Sequence, residues 1–151
     1  MMSIEKPEFL RKLKHRVKLD EGFRRYPYDD KKGMALEKGD TIEGTVTFGH
    51  GLTYLTEEES DHVVQMRLSS IIKDQLPLLP EIGNCNEQRL IVIISMIYQL
   101  GFRGYKRFKK MRKAIQDKDW LRASEEMRDS QWYRQTPDRC IRLAKIMREG
   151  K

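Results

Sequence analysis

The chain turns on the stretch Glu21-Gly22-Phe23-Arg24-Arg25-Tyr26-Pro27-Tyr28-Asp29-Asp30, followed by Gly33 and then by Thr45-Val46-Thr47-Phe48-Gly49-His50-Gly51-Leu52. Before it, Phe9, Leu10, Leu13 and Val17 recur at helical spacing, with Arg, Lys and His on the other face. Pro7 suits the first turn of that helix and Gly22 its end, which places Glu21 in the last turn. After it, glycines at 33, 39, 44, 49 and 51 mark turns, and Thr45 to Phe48 alternates as a strand does. The spacing therefore predicts a helix leading into a small β-hairpin, with acids on both sides of a gap.

Beyond the hairpin the pattern is helical. Thr56-Glu57-Glu58-Glu59 reads as a capping box opening a helix with Val63, Val64, Leu68, Ile71 and Ile72 on one stripe, ended by Pro77 and Pro80. Asn86 is a candidate cap for the next helix. Leu90 to Leu100 is apolar nearly all round, as in a buried central helix stopped by Gly101. Tyr105, Phe108, Met111 and Ile115 are expected on one face of a strongly basic helix. Thr136-Pro137 reads as the cap and first turn of a last helix, with Ile141, Ala144 and Met147 inward.

The expected fold class is α+β, mostly α, with a small antiparallel β-hairpin near the N-terminus and a helical C-terminal lobe. A chain of 151 residues is expected to form one domain. Its parts would be a β-containing lobe over about 22–55, a connecting helix over about 56–74, and a helical lobe over about 84–150 joined by an N-terminal helix over about 7–21.

Composition narrows the function. Thirty Lys and Arg against 23 Asp and Glu leave a net charge of +7, which suits a polyanionic partner such as nucleic acid, an anionic membrane or a bacterial wall. Cys85 and Cys140 have no framework spacing and are expected as reduced thiols. Met1 to Lys18 is charged throughout, so no signal peptide is expected. The apolar run Leu90 to Ile94, resumed after Ser95 only to Leu100, is too short to span a bilayer.

Several side chains are candidates for chemistry. A carboxylate at a helix C-terminus meets unpaired carbonyls, and burial there would raise its pKa toward that of a general acid. Position alone favours reading Glu21 as a surface acid that happens to end a helix. Asp29 and Asp30 precede a glycine turn, where acids usually make only local hydrogen bonds. Set against a helix-end Glu across a cleft, they become the paired carboxylates of glycoside hydrolysis. His50, between two glycines, lacks a second ligand at metal-site spacing and reads as a hydrogen-bonded structural histidine. His15 and His62 are expected to face solvent. The basic run Lys106, Arg107, Lys109, Lys110, Arg112, Lys113 is the strongest nucleic-acid signal, although no recognition motif lies beside it.

Together these residues resemble the T-even phage lysozymes, glycoside hydrolase family 24. The family's helix-end Glu-Gly is present as Glu21-Gly22, its Tyr-x-Asp-x-x-Gly as Tyr28-Asp29-Asp30-Lys31-Lys32-Gly33, and its Thr-x-Gly-x-Gly-His as Thr45 to His50. Further matches are Met96-Ile97-Tyr98-Gln99-Leu100-Gly101, Trp120, and Trp132-Tyr133-x-Gln135-Thr136-Pro137-x-Arg139. Two departures stand out: about ten extra residues between Gly33 and Thr45, and Thr47 in place of the family's first glycine.

The resemblance implies an endolysin that cleaves the β-1,4 bond between N-acetylmuramic acid and N-acetylglucosamine with inversion. Glu21 would be the acid, and Asp30 with Thr45 would hold the attacking water. Asp40 is a rival to Asp30, since it lies five residues before Thr45. The inverting arrangement implies carboxyl groups ~6.5–9.5 Å apart. Sugar-contacting positions would be Gly51, Leu52, Tyr98, Met111 and Glu126, with His50 and Arg139 as structural support. No metal or cofactor is implied. Peptidoglycan is the implied partner, with a holin acting without direct contact, no nucleic acid, no membrane insertion and a monomeric state. The implied location is the host cytoplasm until release through a holin pore onto the periplasmic wall. The competing reading is a basic, helical nucleic-acid-binding module without hydrolase activity, marked by steep salt dependence of binding.

Overall fold

The computed structural model describes residues 7–151; the first six residues of the charged N-terminal stretch lie outside the described residues. Met1–Ser60 and Asp61–Lys151 form two compact units.

In the first unit, helix α1 runs Pro7–Glu21. It stops where expected: Gly22 adopts a left-handed φ of 66° and its N–H donates to the Lys18 carbonyl at 3.1 Å. The apolar stripe of α1 is not buried, since Leu10, Leu13 and Val17 all remain exposed. Strands β1 (Arg24–Asp29) and β2 (Val46–Gly49) pair antiparallel, with Arg24 opposite Gly49, Tyr28 opposite Thr47 and Asp29 opposite Val46. The register shifts between Arg24 and Tyr28, around Pro27. A proline has no N–H for a ladder and is tolerated at such an irregularity. Thr47 is accommodated opposite Tyr28 and is itself buried.

The extra residues between Gly33 and Thr45 do not simply lengthen the hairpin. Ala35 bridges Tyr28, and the Leu36 N–H donates to the Pro27 carbonyl at 2.9 Å, so the excursion folds back beside β1. The capping box forms as expected, with Thr56 N–H to Glu59 Oε2 at 2.8 Å and Glu59 N–H to Thr56 Oγ1 at 3.2 Å.

That box opens α2 (Glu57–Ser70), whose Val63, Val64 and Leu68 are half-buried. The helix then widens into a π turn over Ile71–Gln75 and tightens into two short 3-10 turns, Leu76–Leu78 and Pro80–Asn84. Pro77 and Pro80, each missing an N–H, account for the loss of α geometry.

The second unit is built around α3 (Glu87–Lys106). Asn86 caps it, accepting from the Arg89 N–H at 3.1 Å. Val92, Ile93, Met96 and Ile97 are buried, and Gly101 departs from helical angles with φ 74° and ψ 161°. The expected basic helix is in fact two pieces. Tyr105 belongs to the end of α3, the chain breaks at Arg107–Phe108, and α4 covers Lys109–Gln116. Helices α5 (Trp120–Arg128), α6 (Gln131–Gln135) and α7 (Pro137–Glu149) complete the unit.

Two local expectations for α7 change. Thr136 does not cap it through its side chain; its hydroxyl donates back to the Trp132 carbonyl of α6 at 3.2 Å. Ile141 faces outward, and Cys140 takes the inward place beside Ala144 and Met147. Both cysteines are free thiols. Burial raises the pKa of each to about 11, so they are inert thiols at neutral pH. Among the described residues no helix is long and apolar enough to cross a membrane.

Candidate functional site

In the first unit the ladder separates two acidic positions. At one end the turn after β2 meets the end of α1. Phe48 and Leu52 exchange N–H···O bonds at 2.8 and 2.9 Å, which closes the turn over Gly49, His50 and Gly51. His50 Nδ1 donates to the Gly22 carbonyl at 2.5 Å, which fixes the proton on that nitrogen because a carbonyl only accepts. Its ring also lies 5.3 Å from that of Phe23. The turn is thereby pinned to the carbonyl of the residue that follows α1.

Gly51 sits directly against Glu21. With φ at +73°, a Cβ on Gly51 would overlap Glu21 Oε2 and stand 2.7 Å from its carboxyl carbon. Glycine is thus required twice over, for its left-handed conformation and for the close approach. Glu21 itself is exposed. Leu52 is also exposed.

At the other end of the ladder stand Asp30 and Thr45. The Thr45 N–H donates to Asp30 Oδ1 at 2.7 Å, and the Asp30 N–H donates to the Thr45 carbonyl at 3.0 Å. Among the described residues, Asp30 Oδ2 and the Thr45 hydroxyl take no protein partner, and both residues are exposed. The remaining carboxylate oxygen and the hydroxyl can hold a water, and the carboxylate can receive its proton.

Asp29 has a larger role than the sequence shows. It is fully buried and accepts from three backbone N–H groups: Lys31 at 3.0 Å, Glu43 at 2.6 Å and Gly44 at 3.0 Å. The Glu43 N–H above all, joined by those of Gly44, Lys31 and Lys32, holds its carboxyl below the usual range. Asp29 is a loop anchor. Gly44 is the residue that makes this possible: a Cβ there would overlap Asp30 Oδ1 and come within 2.7 Å of Asp29 Oδ1. A glycine immediately before Thr45 was the available sequence signal. Asp40 is exposed and occupied with its own turn, accepting from the Glu37 N–H at 2.7 Å.

The remaining predicted positions lie in the second unit. Tyr98 on α3 and Arg139 on α7 are exposed. Glu126 on α5 is half-buried, 3.8 Å from Arg122, and borders a cleft of about 680 Å³ within the unit. Met111 borders the same cleft but has no exposed surface; it belongs to the core, so its side chain is not presented to a ligand. The two C-terminal motif runs meet here. Trp132 Nε1 donates to Gln99 Oε1 at 2.9 Å, and Gln99 Nε2 approaches Thr136 Oγ1 at 3.5 Å.

A buried polar cluster went unread in the sequence. Glu81 has no exposure and accepts from Tyr105 Oη at 2.9 Å, from Arg112 Nε at 2.5 Å and from Arg112 Nη2 at 3.1 Å. Burial pushes the Glu81 pKa up, but the hydrogen bonds and charge of Arg112, with the Tyr105 hydroxyl, hold it below the ordinary value. These groups are fully paired inside the core and read as structural. No group of three or more metal-ligating side chains occurs among the described residues.

Relatives of this chain carry consistent names. It is 33% identical over 99 residues to "Probable T4-type lysozyme 1" of Dictyostelium discoideum, covering 64% of this chain and 58% of that one. It is 26% identical over 162 residues to "Probable T4-type lysozyme 2" of the same organism, covering 91% and 94%. The "Peptidoglycan hydrolase gp36" of Pseudomonas phage phiKMV is 27% identical over 127 residues, covering 84% of this chain but 14% of the phage protein. No protein-family model matches the chain.

Proposed function

We propose that this chain, a relative of the T4-type lysozymes, is a peptidoglycan hydrolase that cleaves the β-1,4 bond between N-acetylmuramic acid and N-acetylglucosamine with inversion. The observation that carries this reading is the reciprocal pairing of Asp30 with Thr45 at one end of a ladder whose other end carries Glu21 against Gly51. One helix and one hairpin hold an acid at each end, which is the two-carboxylate requirement of glycoside hydrolysis.

In the proposed reaction Glu21 gives its proton to the glycosidic oxygen as the bond to the anomeric carbon breaks. A water held by Asp30 Oδ2 and the Thr45 hydroxyl attacks the opposite face, and its proton passes to Asp30. Water adds from the side away from the leaving group, so the product anomer is inverted. Gly51, Leu52, Tyr98 and Glu126 are proposed sugar contacts, and Met111 contributes by packing the cleft wall from behind. His50 supports the Glu21 turn through Gly22. Arg139 keeps a supporting role on the strength of the motif match.

The biological setting proposed is host lysis: a monomer held in the host cytoplasm until a holin pore releases it to the wall. Turbidity loss of outer-membrane-permeabilised Gram-negative cells, followed by NMR of fresh reaction products, tests both levels. New N-acetylmuramic acid reducing ends in the α form are expected. Retained β anomer would overturn inversion, and absence of new reducing ends would overturn hydrolysis.

A further inference from the structure

Asp29 and Asp30 are neighbours in sequence, yet the proposed reaction uses only one of them. Successive residues of a strand point to opposite faces. Here Asp29 turns inward with no exposure, while Asp30 turns out to solvent. A carboxylate taken out of water must be hydrogen-bonded to be tolerated. Asp29 satisfies this with backbone donors drawn from two distant parts of the chain.

The N–H groups of residues 43, 44 and 45 are consecutive, and the two carboxylates divide them. Glu43 donates to Asp29 Oδ2 at 2.6 Å, Gly44 to Asp29 Oδ1 at 3.0 Å, and Thr45 to Asp30 Oδ1 at 2.7 Å. On the other side, Lys31 donates to Asp29 Oδ1 at 3.0 Å. Lys31 follows Asp30, and Gly44 precedes Thr45. A single oxygen of Asp29 therefore ties together the neighbours of both residues proposed to hold the water. Asp29 also stands opposite Val46, the residue after Thr45, in the strand register. Thr45 is thus held on both sides, with its N–H aimed at Asp30. The ion pairs of Lys31 and Lys32 with Glu43, at 3.9 and 3.3 Å, join the same segments but are exposed and contribute little.

We propose that Asp29 is a positioning residue of the hydrolytic site: by gripping Lys31 and Gly44, it sets the Asp30 carboxylate and the Thr45 hydroxyl where the attacking water needs them. This rests on the reading of Asp30 and Thr45 as the water-holding pair. Of the proposed sugar contacts, Gly51 and Leu52 lie at the other end of the ladder, and Tyr98 and Glu126 belong to the second unit. A change at Asp29 therefore acts on the reaction and not on binding.

The test compares Asp29→Asn and Asp29→Glu with wild type on soluble peptidoglycan chains, reading kcat and KM separately. Asn keeps the length of the arm and loses an acceptor; Glu keeps the charge and both acceptors on a longer arm. Misplacement by ~1 Å can cost about a hundredfold, so kcat is expected to fall roughly ten- to a hundredfold with KM kept within about twofold. The Thr45 amide proton gives a readout independent of turnover. Its charge-assisted bond to Asp30 shifts it downfield in the NMR spectrum and slows its exchange. Both variants are expected to move it upfield and speed its exchange. Asp40→Asn, which disturbs only the turn within the same excursion, is expected to change neither kcat nor that signal. Wild-type kcat in the folded variants would overturn the proposal, as would an unmoved Thr45 amide. An equal fall in kcat with Asp40→Asn would reduce Asp29 to a loop tether, and failure of both Asp29 variants to fold would make it a folding residue only; either overturns the proposal too. Full turnover by Asp30→Ala, or none by wild type, would instead overturn the underlying reading and the proposal with it.

Discussion

The backbone N–H of Thr45 donates to Oδ1 of Asp30 at 2.7 Å while the N–H of Asp30 donates to the carbonyl of Thr45 at 3.0 Å. This reciprocal pair fixes the direction of the Asp30 carboxylate without using its second oxygen or the Thr45 hydroxyl. Asp30→Ala is expected to lower turnover by roughly 10²–10⁴-fold, the range for loss of a positioned base. Asp40→Ala is expected to stay near wild type, because Asp40 serves only its own turn. Turnover at equal folded concentration decides this; a dead Asp40→Ala with an active Asp30→Ala would move the acid to position 40.

Glu21→Gln is expected to abolish lysis and leave thermal melting unchanged. Glutamine retains the size and most of the hydrogen bonding of glutamate but has no proton to give to a glycosidic oxygen. The measurement is release of reducing ends alongside a melt, and near-normal release by the folded variant would remove Glu21 from the mechanism.

Gly51→Ala is expected to damage activity more than stability. A left-handed backbone costs an L residue about 1–2 kcal/mol. The new methyl would also occupy the place of the Glu21 carboxyl. Displacing a catalytic group by ~1 Å can cost about a hundredfold in rate. A fall in kcat well beyond what the melting shift accounts for is the expected pattern, and unchanged kcat would mean that Glu21 moves aside without consequence.

Asp29→Asn is expected to loosen residues 31–44 and leave the helical unit intact. The sign of the pH effect follows from the depressed folded-state pKa. Anchoring by ionised Asp29 is fully present above its ordinary value of 3.8 and is lost only as pH falls through the lower folded value. Limited proteolysis with an acid-active protease is expected to nick wild type in this segment only at the acid extreme. The Asn variant should be nicked by a neutral protease already at neutral pH. Equal nicking of the two proteins at neutral pH would show that the anchor is dispensable.

Arg112→Ala is expected to cost ~3–5 kcal/mol, since it strands the Glu81 charge in the core. The apolar combination Glu81→Leu, Tyr105→Phe, Arg112→Leu is expected to recover much of that loss. Glu81 has a folded-state pKa below its ordinary 4.5, so its contribution holds above that value and disappears as pH falls through the folded one. The apolar variant is expected to lack this part of the acid decline in melting temperature. Melts from neutral pH downward compare the two.

What the sequence made legible is local in the chain. Gly22 ends α1, Glu59 reaches back three residues to Thr56, and Asn86 reaches forward three to Arg89, because each partner is set by helix geometry. The strand at Thr45 to Phe48 is visible through its alternation. What stayed hidden depends on distant partners. The N–H groups that Asp29 gathers from Glu43 and Gly44 are 14 and 15 residues away, and Glu81 meets partners 24 and 31 residues on. Met111 carried a functional expectation from its motif position, yet helix packing placed it in the core. Ile141 and Cys140 exchange faces through a single step of the helix, an error that apolar periodicity cannot exclude when both neighbours are apolar.

Asp29 draws the N–H groups of Lys31, Glu43 and Gly44 onto one carboxylate, which turns the excursion between them into a lariat tied at its neck. The tip of such a noose can change length without loosening the knot, since doubling a flexible loop costs only about 0.6 kcal/mol. Lys38 and Gly39 lie at an exposed turn, and Gly39 has open space around it. A foreign peptide spliced between them would ride on the hairpin while Asp30 keeps its place against Thr45. The added segment that sets this chain apart from the family pattern is therefore a natural graft point for an epitope or a targeting sequence.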